Sequence, residues 1–272
     1  MQKKYFKNAG QKGFSLIELL VAMAIIGILT TIVSVTFSSV RQKAVNAGAE
    51  LFEASLYHNF GYQAVALWNF DEGMGKATRD GSDNRSTIAL ANDPTVLWAS
   101  TTDARQGNSA ITLKGGTVDV PASTTLTTFD PHKGSISFWL NLKVPSGSGI
   151  FCNNGELDTY AQFCVLDTGT TGKFIELDWN GGGYGKQLQT DIDPHIYLGV
   201  WTHVAVSWNI PQGQETGTVG IYINGHEVAS SSEYVLPEHL GSALYAFCVG
   251  GDCHGDNILG SIDTMRVYTE PI

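Results

Sequence analysis

The chain has 272 residues, of which 43% are hydrophobic and 15% charged, and its formal net charge is -10. This acidic balance argues against a nucleic-acid partner, because phosphate binding requires a clustered basic face and no such cluster appears after residue 43. The 31 glycines, 6 tryptophans and 10 tyrosines favour a turn-rich β protein of one or two domains over a disordered or collagen-like chain.

The N-terminal part of the chain combines a basic stretch with a long apolar one. Four lysines lie within residues 1–12, and residues 14–37, FSLIELLVAMAIIGILTTIVSVTF, contain one charged residue, Glu18. As a helix, the apolar segment would measure about 36 Å, which is enough to cross a bilayer core. The positive-inside rule then predicts a cytoplasmic N-terminus and an external location for the rest of the chain.

Glu18 distinguishes this segment from an ordinary secretory signal. A secretory signal would end in a cleavage site of the A-x-A type after the apolar stretch, and no clean one is visible. A carboxylate within an apolar helix is costly unless a cation neutralises it. A plain membrane anchor with an unpaired glutamate is the alternative, and it leaves this charge unexplained.

The segment KGFSLIELLVAMAIIGIL resembles the leader and helix of type IV pilin precursors and of type II secretion pseudopilins. The resemblance implies that prepilin peptidase removes residues 1–13 by cutting after Gly13, and that the new amine of Phe14 is methylated. It also implies that Glu18 pairs with the ammonium group of Phe14 in a neighbouring subunit. The implied partners are other pilins in a helical filament and the assembly machinery. The precursor would lie in the inner membrane and the mature chain in a cell-surface filament.

The helix is predicted to continue well beyond the apolar segment. Small and β-branched residues within that segment permit the close helix packing that a filament core requires. Further along, Val45, Leu51, Phe52 and Leu56 form an apolar stripe at helical spacing. The predicted unit after processing is therefore one helix over residues 14–60.

From residue 65 the sequence changes to short alternating runs such as SISFWLNL, FIELDW, THVAVSW and SIDTMRVY, which predict strands. Between Thr202 and Trp208, apolar residues alternate with His203, Ala205 and Ser207. This alternation predicts a sheet that is buried on one side.

Tight turns are predicted at residues 180–183 and 224–225, where Asn and Gly tolerate positive φ. The segments ALWNFDEGMGKATRDGSDN, GNSAITLKGGTVDVP, SISFWLNL, GVWTHVAVSWN, VGIYINGHEVASS and LGSIDTMRVY follow one another along the chain. Together they resemble the laminin G-like, or concanavalin A-like, jelly roll over residues 65–272. The predicted fold class is therefore α+β, with a long N-terminal helix followed by an all-β jelly roll of two sheets.

The four cysteines occur in two local pairs, Cys152 with Cys164 and Cys248 with Cys253. Both pairs lie in segments that read as hairpins, so two local disulfides in an oxidising compartment are predicted. Buried free thiols are the alternative. A zinc site is a third interpretation, but the sequence has no C-x-x-C and no second Cys/His pair at finger spacing.

Jelly rolls of this family often carry one calcium ion where the first and last strands meet. The resemblance places Asp71, Asp83 and Asp263 in the matching segments, and carboxylate oxygens are suitable calcium ligands. The alternative is that Asp71 and Asp83 begin solvated turns and that Asp263 is a hydrogen-bonded polar residue. Calcium is thus a candidate ligand, and no cofactor is predicted to be required.

Two glycine-rich loops, residues 179–184 and 252–257, carry aromatic and acidic side chains that suit glycan or protein binding. A tryptophan at a strand end more often belongs to the core, so Trp179 is assigned to the core. No binding residue is predicted from these loops.

Glycosidases share this fold and need two carboxylates at the scissile bond. Glu176 and Asp178 would share one face of a strand, but Asn180 stands where the glycosidase strand pattern has its third acid. We interpret these residues as a solvated strand face. Since G-x-S-x-G and H-E-x-x-H are also absent, no catalysis is predicted.

The predicted function is that of a type IV pilin-like filament subunit that displays its jelly roll for adhesion or ligand binding. A minor pilin or pseudopilin whose outer domain recognises cargo is the alternative. A membrane-tethered glycan-active enzyme is the third hypothesis.

Overall fold

The computed structural model describes residues 13–82, 88–90, 94–120, 129–130, 132–153, 162–167, 169, 173–180, 186–214, 216–235, 247–251 and 257–272. The chain divides into two compact units, Met1–Val45 and Asn46–Ile272. Their common element is helix α1, which spans Leu16–Phe60, close to the predicted range of 14–60.

In the first unit, the apolar side chains between Leu16 and Ile32 are all exposed, with Leu16 at 83% and Ile32 at 57%. Among the described residues, no helical stretch combines the length and the apolar character needed to cross a membrane. The membrane anchor inferred from residues 14–37 therefore stays a prediction.

The second unit consists of the C-terminal part of α1 and a β sandwich. Its strands in chain order are β1 (Ala64–Trp68), β2 (Ala77–Thr78), β3 (Ile88–Ala89), β4 (Val96–Trp98), β5 (Ile111–Lys114), β6 (Val118–Val120), β7 (Lys133–Val144), β8 (Gly149–Asn153), β9 (Gln162–Asp167), β10 (Ile175–Asn180), β11 (Lys186–Gln189), β12 (Thr202–Asn209), β13 (Thr216–Ile223), β14 (His226–Val235), β15 (Phe247–Val249) and β16 (Leu259–Tyr268).

The larger sheet has eight strands in the order β14-β13-β12-β7-β16-β5-β4, with β1 pairing on β16 as well. All of its pairs are antiparallel. Strands β13 and β14 are joined by Asn224 and Gly225, whose positive φ angles of 51° and 82° are those that a tight hairpin turn of the predicted kind requires. In the strand order of this sheet, β16 lies between β7 and β5, so the last described strand is an inner strand.

The smaller sheet has six strands in the order β11-β10-β9-β8-β15-β6. The inner faces of the two sheets enclose the main core, which includes the fully buried rings of Trp68, Phe138, Phe151, Trp208 and Phe247. Phe151 and Phe247 stack at 4.7 Å between ring centroids. The predicted two-sheet architecture is the one observed.

The outer face of the larger sheet is also buried where the C-terminal part of α1 packs on β12 and β16. Leu56 is buried together with Ala205 and Tyr268, and Phe52 and Phe60 pack against the same cluster. Every residue of β12 from Thr202 to Trp208 is consequently buried. The prediction of a sheet buried on one side is wrong for this strand, since the helix supplies a second apolar layer.

The face of α1 that docks differs from the predicted stripe. Ala49, Glu53 and Leu56 are buried, whereas Leu51 is 74% exposed. The buried positions follow the helical spacing of three and four residues that one face of a helix requires. The buried face of α1 therefore contains a glutamate, and Leu51 lies outside this face.

Candidate functional site

At the start of α1, Glu18 has a local partner. The Glu18 carboxylate accepts hydrogen bonds from the backbone N–H of Ser15 at 2.8 Å and from its hydroxyl at 2.7 Å. In return, the Ser15 hydroxyl oxygen accepts from the Glu18 backbone N–H at 3.3 Å. This reciprocal arrangement is a capping box, which satisfies free N–H groups at the first turn of the helix. Gly13 and Phe14 directly precede it, and Phe14 is 83% exposed.

The docked part of α1 carries a second glutamate, Glu53, which is only 3% exposed. Its carboxylate forms an ion pair with Arg266 of β16. It also accepts hydrogen bonds from Trp139 Nε1 at 2.8 Å and from Gln106 Nε2 at 2.5 Å. We call Glu53, Arg266, Trp139 and Gln106 the docking network. It attaches the helix to the larger sheet through a desolvated charge pair.

His203 lies beside the docking network and is fully buried by side chains of the helix and the sheet. Its ring contacts Phe52 at 5.8 Å and Trp139 at 5.1 Å between centroids. Both ring nitrogens lack hydrogen-bond partners among the described residues. Burial, with a smaller contribution from the positive charge of Arg105, lowers the pKa of His203 to about 3. The imidazole is therefore neutral at physiological pH.

The outer face of the smaller sheet carries two acids and two amides. The register pairs Glu176 with Gln189 and Asp178 with Gln187, so these four side chains lie on one face, and we call them the acid-amide cluster. Gln189 Nε2 donates to Glu176 Oε2 at 2.6 Å. Asp178 Oδ1 is buried and has no partner among the described residues.

The acid-amide cluster is not the solvated strand face predicted from the sequence, because Glu176 is only 6% exposed. Burial raises the pKa of Glu176. Burial and the neighbouring charge of Glu176 raise the pKa of Asp178 to about 6. Partly buried carboxyls with unused acceptor capacity can bind hydroxyl or amide donors of a ligand.

One row of paired residues crosses the whole outer face of the smaller sheet. In strand order it consists of Gln187, Asp178, Cys164, Cys152, Cys248 and Asp119. Cys152 and Cys164 form a disulfide between directly opposed positions of β8 and β9. Cys248 is also disulfide-bonded. Its predicted partner, Cys253, lies outside the described residues.

Two of the three predicted calcium residues converge on one loop. Asp263 accepts from the backbone N–H groups of Arg105 and Gln106, both at 2.9 Å, and Asp71 accepts from that of Asn108 at 2.6 Å. Burial raises the pKa of Asp263 to about 6, although these N–H donors act in the opposite direction. In this arrangement both carboxylates hold the loop.

A calcium site needs six to eight oxygen ligands, and the described part of the chain contains no group of three metal-binding side chains. The remaining predicted ligand, Asp83, lies outside the described residues. The oxygens of Asp71 and Asp263 that accept backbone N–H groups do not form a calcium site on their own. The three-carboxylate set stays a prediction.

Most of the two glycine-rich loops also lies outside the described residues, namely residues 181–184 of the first loop and 252–256 of the second. The backbone of Trp179 belongs to β10. No binding role can be assigned to these loops from the described structure.

Sequence reasoning missed the docking network. The available signal was Glu53, a charged residue four positions after Ala49 and three before Leu56, and this spacing indicates either the edge of the apolar stripe or a buried charge. Its partner Arg266 lies 213 residues away in the sequence, so no local pattern could have identified the pair.

Comparisons with known proteins agree with this description. The family profile of the concanavalin A-like lectin/glucanases superfamily matches residues 112–272. The profile of the prokaryotic N-terminal methylation motif matches residues 8–34, which include Gly13, Phe14 and Glu18. Among curated proteins, no sequence matches the chain.

Solved structures share the fold of the second unit. Domain 4 of AbnA, a GH43 extracellular arabinanase from Geobacillus stearothermophilus, solved in complex with arabinotriose, is 22% identical with a TM-score of 0.57, covering 77% of this chain and 94% of that one. The botulinum neurotoxin serotype D binding domain is 14% identical with a TM-score of 0.55, covering 79% of this chain and 50% of that one.

The binding domain of Paraclostridial Mosquitocidal Protein 1 is 15% identical with a TM-score of 0.52, covering 77% of this chain and 49% of that one. This chain thus spans about half the length of these two binding domains. At such low identities the similarity concerns the fold alone. The family match over residues 112–272 and the sandwich topology lead to one conclusion: the chain belongs to the concanavalin A-like lectin/glucanases superfamily and carries a prokaryotic N-terminal methylation motif.

Proposed function

We propose that this chain is a type IV pilin-like filament subunit that displays its jelly roll to ligands outside the cell. The observation that supports the proposal most strongly is the N-terminal methylation motif matched at residues 8–34, a range that contains Gly13, Phe14 and Glu18. Prepilin peptidase cuts after Gly13, and the methylated amine of Phe14 becomes the cation that Glu18 needs in a neighbouring subunit.

The surface of the first helical segment supports this assignment. Its described apolar side chains from Leu16 to Ile32 are exposed, and so large an apolar surface needs an apolar partner. Before assembly that partner is the inner membrane, and in the filament it is the helices of other subunits. The capping box with Ser15 then occupies the Glu18 carboxylate only until the stronger charged partner arrives.

The displayed jelly roll carries its candidate ligand surface on the smaller sheet. The acid-amide cluster offers carboxylate and amide groups on one sheet face, which suits recognition of hydroxyl and amide groups of a glycan or protein ligand. We assign it to binding and not to hydrolysis, because position 180, where the glycosidase pattern has its third acid, is Asn. Incubation of the purified chain with a polysaccharide panel should release no product, and hydrolysis that is lost in Glu176→Gln would contradict this assignment.

The filament proposal is tested by mass spectrometry of the mature N-terminus and by electron microscopy of sheared surface filaments. We expect a methylated Phe14 as the first residue and filaments that contain this chain. Glu18→Ala should abolish filaments, whereas the control Thr31→Val in the same helix should assemble normally.

The outcomes separate the alternatives. An unprocessed N-terminus, or normal filaments in Glu18→Ala, would refute the assembly mechanism. A methylated Phe14 in a chain found only at filament tips, or in no surface filament, would identify a minor pilin or a pseudopilin.

A further inference from the structure

A groove of about 430 Å³ crosses the outer face of the larger sheet at its β12-β13-β14 edge. It lies on the opposite side of the sandwich from the acid-amide cluster. The register places Ser207, Gly220 and Ser230 in one row across the three strands, and pairs Asn209 with Thr218 in the next row. This volume falls within the range of about 300–1,000 Å³ that is typical of small-molecule sites.

Gly220 lines the groove and leaves room for the Tyr222 ring, whose Cε2 would lie 3.2 Å from a Cβ at this position. Thr218 and Tyr222 lie two positions before and after Gly220, so they point to the same face of the sheet. Phe52 of the docked helix stacks on the Tyr222 ring at 5.7 Å, with 26° between the ring planes. One side of the groove is thus a rigidly supported aromatic ring.

Polar groups along the groove are held in fixed orientations. The two carboxylate oxygens of Glu227 accept hydrogen bonds from Tyr222 Oη at 3.3 Å and from Ser230 Oγ at 2.7 Å. The Ser207 hydroxyl accepts from the backbone N–H of Ile272 at 2.9 Å. Side chains that are already ordered lose less entropy when a ligand binds, which favours recognition.

The chemistry of the lining selects the ligand class. The polar side chains that line the groove are those of serines, Thr218, Asn209, Tyr222 and Glu227. Val219, Gly220, Pro271 and Ile272 complete the lining, and no lysine, arginine or histidine is among these described residues. An anionic ligand would find no cation there. The single carboxylate already accepts two hydrogen bonds, so it does not form a site for a strong cation either. Hydroxyl and amide groups beside an aromatic ring match the hydroxyls and the apolar C–H face of a sugar ring.

We propose that this groove binds a neutral oligosaccharide, with the sugar packed on Tyr222 and hydrogen-bonded by Asn209 and Glu227. The inference goes beyond the proposed function, because it places a ligand site on the sheet that also carries the docked helix.

The test uses the full mature chain in a detergent that has no sugar headgroup, since a glycosidic detergent would compete. Arabinotriose and maltotriose serve as neutral probes and trigalacturonate as the anionic one, with binding followed by saturation-transfer NMR and calorimetry. Thr218→Trp should fill the groove and weaken binding of a neutral probe at least tenfold. Thr216→Trp is the matched control, because Thr216 is exposed on the same strand and does not line the groove.

Asn209→Ala provides a second variant that keeps the strand intact, and it should weaken binding several-fold. Absence of binding by both neutral probes, preference for trigalacturonate, or equal affinities of Thr218→Trp and the wild type would each overturn the proposal. Loss of binding in Gln187→Ala in place of Thr218→Trp would move the site to the acid-amide cluster and also overturn it. None of these binding results depends on filament assembly. Assembly is tested separately by the mass of the N-terminal Phe14 and by electron microscopy of filaments in Glu18→Ala.

Discussion

Replacement of Glu53 by alanine removes one carboxylate that serves three partners of the docking network. Arg266 would lose its counter-ion, and the N–H groups of Trp139 and Gln106 would lose their acceptor. The side chains of Arg266 and Glu53 are only 13% and 5% exposed, so water cannot replace the lost contacts without separating the helix from the sheet.

The expected cost follows from this burial. Removal of one member of a buried ion pair leaves an uncompensated charge and typically costs about 3–5 kcal/mol. The orphaned indole and amide belong to the same network, so their cost is included in this figure and is not added to it. For a unit of this size, such a loss lowers Tm by roughly 6–20 °C.

Glu50→Ala is the matched control, because Glu50 lies one helical turn away and pairs with Arg105 at 2.6 Å while its side chain is 51% exposed. Exposed ion pairs contribute about 0–1 kcal/mol. Thermal and urea unfolding of the full chain in detergent, followed by near-UV circular dichroism, should therefore separate the two variants clearly. Equal stabilities of Glu53→Ala and Glu50→Ala would refute the buried network. So would a double variant Glu53→Ala/Arg266→Ala whose loss equals the sum of the two single losses.

Three further predictions concern the β domain, each measured by urea unfolding. Because the pKa of His203 falls from 6.5 to about 3 on folding, the unfolded chain gains the proton first, and this group lowers stability by about 1.4 kcal/mol per pH unit below 6.5. His203→Phe should reduce this dependence of the unfolding free energy on pH, and an unchanged dependence would contradict the prediction. Folding raises the pKa of Asp178 from 3.8 to about 6, so the ionised carboxyl destabilises the folded state as the pH rises from 3.8, and the full cost is present above about pH 6. Asp178→Asn should stabilise by about 1–2 kcal/mol at pH 8, allowing for partial exposure, and by nothing at pH 3; destabilisation at pH 8 contradicts this. Cys152→Ser/Cys164→Ser should lose about 2–3 kcal/mol, since the bond closes a 12-residue loop, and no loss would contradict a stabilising role.

The features that the sequence predicted correctly are those set by local chemistry. The turn at Asn224 and Gly225 was predictable because positive φ favours these two residue types. The disulfide between Cys152 and Cys164 joins residues 12 positions apart, so a hairpin brings them together. The strand from Thr202 was predictable from its alternation, since a period of two describes a strand whatever its surroundings.

What covers the outer face of a strand depends on elements distant in the sequence. His203, Ala205 and Ser207 read as a solvated face, and all three are buried. A helix more than 140 residues earlier in the chain packs on His203 and Ala205, and the backbone N–H of Ile272 donates to the Ser207 hydroxyl. The same limitation explains Glu176, whose acidic character suggested exposure although it is 6% exposed. The groove is also non-local, because three separate strands and the support of Phe52 are needed to form it.

The placement of the docked helix is compatible with the proposed ligand binding, because the helix and the acid-amide cluster lie on different sheets. The segment from Ala49 to Phe60 occupies the outer face of the larger sheet, where Leu56 and Phe52 replace solvent with apolar contacts. The acid-amide cluster lies on the outer face of the other sheet, with the whole sandwich core between them. Substitutions in the cluster and in the docking network share no partner, so their effects on stability should add within about 0.5 kcal/mol. The groove differs, because Phe52 supports its Tyr222 wall, and loosening of the helix by Glu53→Ala should weaken binding in the groove.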